Sequence, residues 1–171
     1  MDTIDVIKTS MVSFLHRMVG VISLIRKSCA PSAVACVKGS TEYPDLAGTV
    51  KFYEYREGVL VVADIQGLPK ESETGFFAFH IHEGRDCGGE GFADTGGHFN
   101  PKERMHPEHA GDLPPLLSNC GTAYMQVLTN RFGVREVIGR TVIIHSYPDD
   151  FHTQPSGNAG TKIACGVIRR V

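Results

Sequence analysis

His80-Ile81-His82, followed by His98, His106, His109 and Asp112 and much later by His145, constrains this chain more than any other feature. Together they supply ligands for two adjacent metal ions, but only a fold that gathers distant segments can bring them together. His80 and His82 lie in Phe76-Phe77-Ala78-Phe79-His80-Ile81-His82, whose aromatic and β-branched content predicts a strand. A period of two then puts both imidazoles on one face and sends Phe77, Phe79 and Ile81 into a core. His106 and His109 bracket Pro107, and Asp112 follows in Gly/Pro-rich sequence, so their geometry must come from a fixed loop rather than a helix face. Neutral imidazole suits copper and zinc, and a lone carboxylate among histidines is tolerated by zinc. Any one of these histidines alone reads as a solvated or hydrogen-bonded residue; the whole set in this order does not.

Residues 34–38, 48–55, 59–65 and 76–82 read as four strands separated by Gly-, Pro- or charge-rich turns. Residues 83–119 carry Gly and Pro throughout and no strand-like run, and a loop of that length inside a compact domain is usually functional. Strand patterns resume at 122–129, 134–137 and 141–146, pause over 147–160 and return at 162–168. Many short strands with no convincing helix among them predict an all-β sandwich or barrel. The chain has 171 residues, enough for one ordinary domain with a real core. A formal net charge of -2 argues against a nucleic-acid binder, which would carry a clustered basic face.

Residues 1–32 read as an N-terminal amphipathic helical extension and linker, ahead of a domain over 33–171. Ile4, Ile7, Met11, Phe14, Met18, Val21 and Ile25 recur at alternating spacings of three and four, an amphipathic stripe. Such a helix could pack on the domain, pair with a copy of itself, or lie on a membrane surface. No apolar run is long enough to span a bilayer. Asp2 and Asp5 stand where a secretion signal would be positive, and Lys8, His16 and Arg17 interrupt its apolar region, so no conventional signal peptide is expected. Arg26-Lys27-Ser28 is a poor approach to a lipoprotein attachment at Cys29.

The sequence around the ligands is similar to a known family. Phe79-His80-Ile81-His82-Glu83, Gly97-His98-Phe99-Asn100-Pro101, His109-Ala110-Gly111-Asp112-Leu113, the block from Gly139 to His145 and the block from Gly157 to Ile168 resemble, in order, the signature blocks of the copper/zinc superoxide dismutases. The resemblance runs from Ala33 to the C-terminus. Leu113-Pro114-Pro115-Leu116, Pro148-Asp149-Asp150-Phe151 and Gln154-Pro155-Ser156-Gly157-Asn158 look more like the bacterial branch than the animal one. The resemblance implies a Greek-key β-sandwich or barrel of immunoglobulin-like architecture, with long metal-binding and electrostatic loops. It implies copper on His80, His82, His98 and His145, zinc on His98, His106, His109 and Asp112, and His98 as the bridge between the metals. The implied partner is the superoxide anion, with no nucleic acid, and a homodimer is compatible with it.

The same resemblance makes Asp149 the carboxylate joining a copper-side and a zinc-side histidine, although a surface turn residue would also be acidic here. Asp150 fits that plainer role. Cys87 and Cys165 fall where the family places an intrachain disulfide, which weakly favours an extracytoplasmic compartment, although this family keeps its disulfide in the cytosol as well. Cys36, alternating with Val34 and Lys38, is expected to be a small buried hydrophobe; for Cys120 the sequence leaves the state open. Lys162 stands where the family usually has an arginine beside copper. It keeps the charge that attracts superoxide but loses the planar fork, so lower turnover is expected. Ser156 and Gly157 match the channel wall. Two other functions compete: a catalytically weak or inactive metal-binding relative, which would be expected to lose a copper histidine first, and a copper-delivery module, which would carry a Cys-x-x-Cys motif absent here.

Overall fold

The computed structural model describes residues 30–171. The amphipathic segment, its Cys29 and the membrane-surface contact considered for it lie outside them. Eight antiparallel strands form one sheet: β1 (Ala33–Gly39), β2 (Ala47–Tyr55), β3 (Gly58–Gln66), β4 (Phe76–His82), β5 (Asp112–Leu117), β6 (Thr122–Thr129), β7 (Thr141–His145) and β8 (Lys162–Arg170). Their order is β5-β4-β7-β8-β1-β2-β3-β6, so the sheet curls into a nearly closed barrel whose edge strands are β5 and β6. β1, β2 and β3 run as a meander, β7 and β8 as a hairpin, and crossovers join β3 to β4 and β6 to β7.

Alternation explains the first half of the barrel. Ala33, Ala35 and Val37 of β1, Val50 and Phe52 of β2, and Val59, Val61, Ala63 and Ile65 of β3 fill the interior, while their neighbours face outward. This phase corrects the expectation for Cys36. It shares the outer face with Val34 and Lys38 and is exposed, because the odd-numbered residues of β1 are the buried ones.

Burial on both faces marks the second half. Phe77, Phe79 and Ile81 enter the core, yet Ala78, His80 and His82 are buried too. The return of the long loop covers them: Ile81 N–H donates to Gly111 O, Phe99 N–H to Ile81 O, and Gly111 N–H to Phe99 O.

Two segments differ from the expected pattern. Residues 112–117 are strand β5 despite Pro114 and Pro115, since an edge strand can lose ladder donors that an interior strand cannot. Residues 134–137, valine-rich and expected as a strand, form one helical turn, α1 (Val134–Val137). The Glu136 carboxylate accepts from Gly133 N–H at 2.6 Å, and Val134 and Val137 are buried beneath it, so local capping and packing outweigh β-propensity. A short 3-10 segment at Glu90–Thr95 likewise breaks the expectation of a helix-free domain. Among the described residues no helix is long and apolar enough to cross a membrane.

Candidate metal centre

Strand β4 delivers His80 and His82, β7 ends on His145, and the long loop brings His98 beside His82 through an isolated β-bridge. The result is two buried donor groups, His80/His82/His98/His145 and His98/His106/His109/Asp112, within each of which the ligand atoms lie within 4.8 Å of one another. His98 belongs to both. Its ring centroid is 4.0 Å from that of His80 and 5.4 Å from that of His109.

The second group converges on one carboxylate. Asp112 Oδ1 is 2.7 Å from His98 Nδ1, and Oδ2 is 3.0 Å from His106 Nδ1 and 3.3 Å from His109 Nδ1. Burial opposes ionisation of Asp112, but the His98 hydrogen bond and the neighbouring imidazoles outweigh it and hold the carboxyl below its usual range. In the first group His82 Nε2 faces His145 Nε2 at 3.3 Å.

Two buried ring nitrogens, His80 Nδ1 and His98 Nε2, have no hydrogen-bond partner among the described residues. Orphaned polar atoms in a protein interior are costly unless something else satisfies them. Burial also pushes His82 down to about 2, with His145 adding to the effect, and His145 down to about 3, with His80 adding to it. His82 and His145, kept neutral and gathered with His80 and His98, form an imidazole set that suits copper, and three imidazoles with one carboxylate form a set that suits zinc, so the residues fit copper on one side and zinc on the other.

Residues around the ligands fix their rings. Asp149 bridges the two groups: His80 Nε2 donates to Oδ2 at 2.8 Å and His106 Nε2 to Oδ1 at 2.8 Å. Burial disfavours its charge, yet the His80 bond, Phe151 N–H and the His106 bond lower it to about 2. His82 Nδ1 donates to Gly96 O at 2.9 Å, leaving Nε2 for the centre. Gly157 has φ +67, and a Cβ there would lie 1.9 Å from Asp149 Oδ1 and 2.7 Å from His106 Nε2. It therefore stands against the Asp149 bridge, with Ser156 half-buried beside it. Asp150 has the plainer role, its carboxylate accepting from His152 N–H, Thr153 N–H and the Thr153 hydroxyl.

Lys162, at the start of β8 and paired with His145, points its ammonium into the long loop. Nζ donates to Thr95 Oγ1 at 2.7 Å, Gly96 O at 3.0 Å and Phe92 O at 3.4 Å. Gly96 O is also the acceptor of His82 Nδ1, so a fixed positive charge sits one carbonyl away from a donor imidazole. Partial burial lowers the lysine from its ordinary value. Cys87 and Cys165 form a disulfide that ties the loop to β8, and Cys36 and Cys120 are free.

Three contributors escaped sequence reasoning: Thr95, Arg131 and Gln154. Each bonds either to main-chain atoms of the metal loop or to Lys162, and such contacts leave no spacing signature.

The family model for copper/zinc superoxide dismutase (SODC) matches residues 46–168. Superoxide dismutase (Cu-Zn) 2 of Aquifex aeolicus is 39% identical over 140 residues, covering 73% of this chain and 80% of that protein. The superoxide dismutase (Cu-Zn) of Schizosaccharomyces pombe is 33% identical, covering 80% of this chain and 96% of that protein, and that of Legionella pneumophila 30%, covering 89% and 96%. A barrel with two buried donor groups joined through His98 and a match over most of its length lead to one assignment: this chain belongs to the copper/zinc superoxide dismutase family.

Proposed function

We propose that this chain disproportionates superoxide, two superoxide anions and two protons giving one dioxygen and one hydrogen peroxide. One observation carries the reading: two enclosed four-donor groups share a single imidazole. His80, His82, His98 and His145 would hold copper, and His98, His106, His109 and Asp112 zinc. Bound there, copper supplies the reversible one-electron change that both half-reactions need, and zinc, which has no redox chemistry, supplies fixed charge.

The chain's own residues then have distinct tasks. His98 Nδ1 faces Asp112 and His109, which leaves the buried Nε2 as the atom able to take up and release a proton. Asp149 keeps the His80 and His106 rings oriented through their Nε2–H groups. Lys162 attracts the anion by charge from a fixed position, with Ser156 and Gly157 in the adjoining turn. Its bonds to Thr95, Gly96 and Phe92 compete with direct binding of an oxygen, which favours a slower member of the family.

Protein loaded with both metals is expected to hold one copper and one zinc and to accelerate superoxide decay. His98→Ala, which removes the donor common to both groups, is expected to change the Cu(II) electron paramagnetic resonance spectrum and to abolish most of the decay rate. Zinc alone in both groups after copper addition would sink the enzymatic reading.

A further inference from the structure

We infer that Arg131 and Gln154, which belong to neither donor group, are positioning residues that hold the zinc-side loop in chelating shape; the inference rests on His98, His106, His109 and Asp112 being the zinc group. They reach that loop from two different segments. Arg131 follows β6, rooted beside the buried Phe132, and its single nitrogen Nη1 donates to Pro107 O at 2.8 Å, His109 O at 3.2 Å and Asp112 O at 3.2 Å. Two of those carbonyls belong to donor residues, and the third follows a donor directly. Gln154 comes from the loop before β8. Its Oε1 accepts from His106 N–H at 3.0 Å and its Nε2 donates to His106 O at 2.7 Å.

Three of the four zinc-side donors therefore have their main chain fixed by a side chain from elsewhere. The fourth, His98, is held by its bridge to β4. The consequence follows from what the segment lacks. His106 and His109 sit in turns rather than in a ladder, so their ring positions depend on where the backbone is pinned. Three carbonyl oxygens gathered at one point also repel one another, and the guanidinium charge that draws them together cannot be replaced by a neutral group. Because all three bonds converge on a single nitrogen, the contact is point-like. An ammonium with three donors can imitate it, whereas a primary amide cannot.

Zinc release into excess 4-(2-pyridylazo)resorcinol, followed from protein loaded with both metals, tests this, with copper retention measured on the same samples. Arg131→Gln and Gln154→Met are expected to speed zinc release by about 10- to 100-fold, the range seen when groups supporting metal ligands are removed. Arg131→Lys is expected to restore most of the retention, and copper is expected to stay. Cobalt(II) placed in the zinc group should show altered visible bands in the first two variants and wild-type bands in Arg131→Lys. Folded Arg131→Gln and Gln154→Met proteins that release zinc at the wild-type rate would overturn the inference. So would equal loosening of copper and zinc, which marks a merely structural role. A wild-type protein that takes up no zinc in this group would instead remove the reading beneath it.

Discussion

Lys162 shows how a residue type can keep a charge and change its use. An ammonium has three donors, and all three have acceptors in residues 92–96 of the loop. Under the proposed function it would therefore offer a passing anion long-range attraction rather than a two-pronged grip. Lys162→Glu is expected to slow superoxide decay by about 10-fold or more at low salt, within the range of electrostatic steering. The deficit should shrink as salt rises, since screening shortens the attraction to about 10 Å at 0.1 M. Stopped-flow decay at matched copper content measures it, and an unchanged low-salt rate would mean that other charges guide the substrate. Thr95, fully buried, gives the ammonium its shortest bond, and nothing in its sequence setting announces that role.

Among the elements, the loop of residues 83–111 carries the centre, and its attachments decide whether the centre exists. At its near end Arg140 donates to Glu83 O and Thr141 Oγ1 to Gly84 O, while the Arg140 guanidinium lies 4.8 Å over the Phe99 ring. The Cys87–Cys165 bridge adds a covalent tie across a separation of 78 residues. In the chain-entropy model a closure of that length stabilises by about 4 kcal/mol. Cys87→Ser is expected to lower stability by up to that amount and to weaken copper retention, as urea unfolding and metal analysis would show. Several of these elements could be read from the sequence. The Phe-His alternation of β4 announces itself because one face is aromatic and the other imidazole. Strand β5 was hidden because two prolines normally forbid pairing, and only its place at the sheet edge permits them. The valines of α1 misled because their helical turn is set by Glu136 capping Gly133 and by the core beneath. The donor residues were legible as six imidazoles and one carboxylate; Arg131 and Gln154 were not, because their partners are carbonyls and an N–H of the main chain.

At the scale of the whole molecule, the barrel wall and the loop folded over it bury a cluster of imidazoles, of which His82 and His145 are kept uncharged, and acid works against that arrangement. His82 and His145 titrate at about 6.5 in the unfolded chain and at about 2 and about 3 in the folded one. Between those values the unfolded chain binds more protons, so stability is fully present above about pH 6.5 and declines as pH falls. Each histidine contributes up to about 1.4 kcal/mol per pH unit. Asp149 adds the same sign lower down, its contribution lost as pH drops from 3.8 toward about 2. Metal-free protein should therefore show a urea midpoint that falls steadily from pH 6.5 to pH 4, while metal-loaded protein, whose imidazoles are occupied, should resist over the same range. A flat midpoint in the metal-free protein would show that the interior accepts protons without unfolding.

The two edges of the sheet have a bearing on how molecules behave in a crowd. An open edge strand is a template on which a strand from another chain can add, and repeated addition is how soluble β-proteins precipitate. Here β5 and β6 flank the same seam of the barrel, and β5 has no amide hydrogen at either Pro114 or Pro115. A would-be partner strand meets a ladder with missing rungs. The feature that made β5 hard to see in the sequence thus also protects the protein in concentrated solution, with or without its metals.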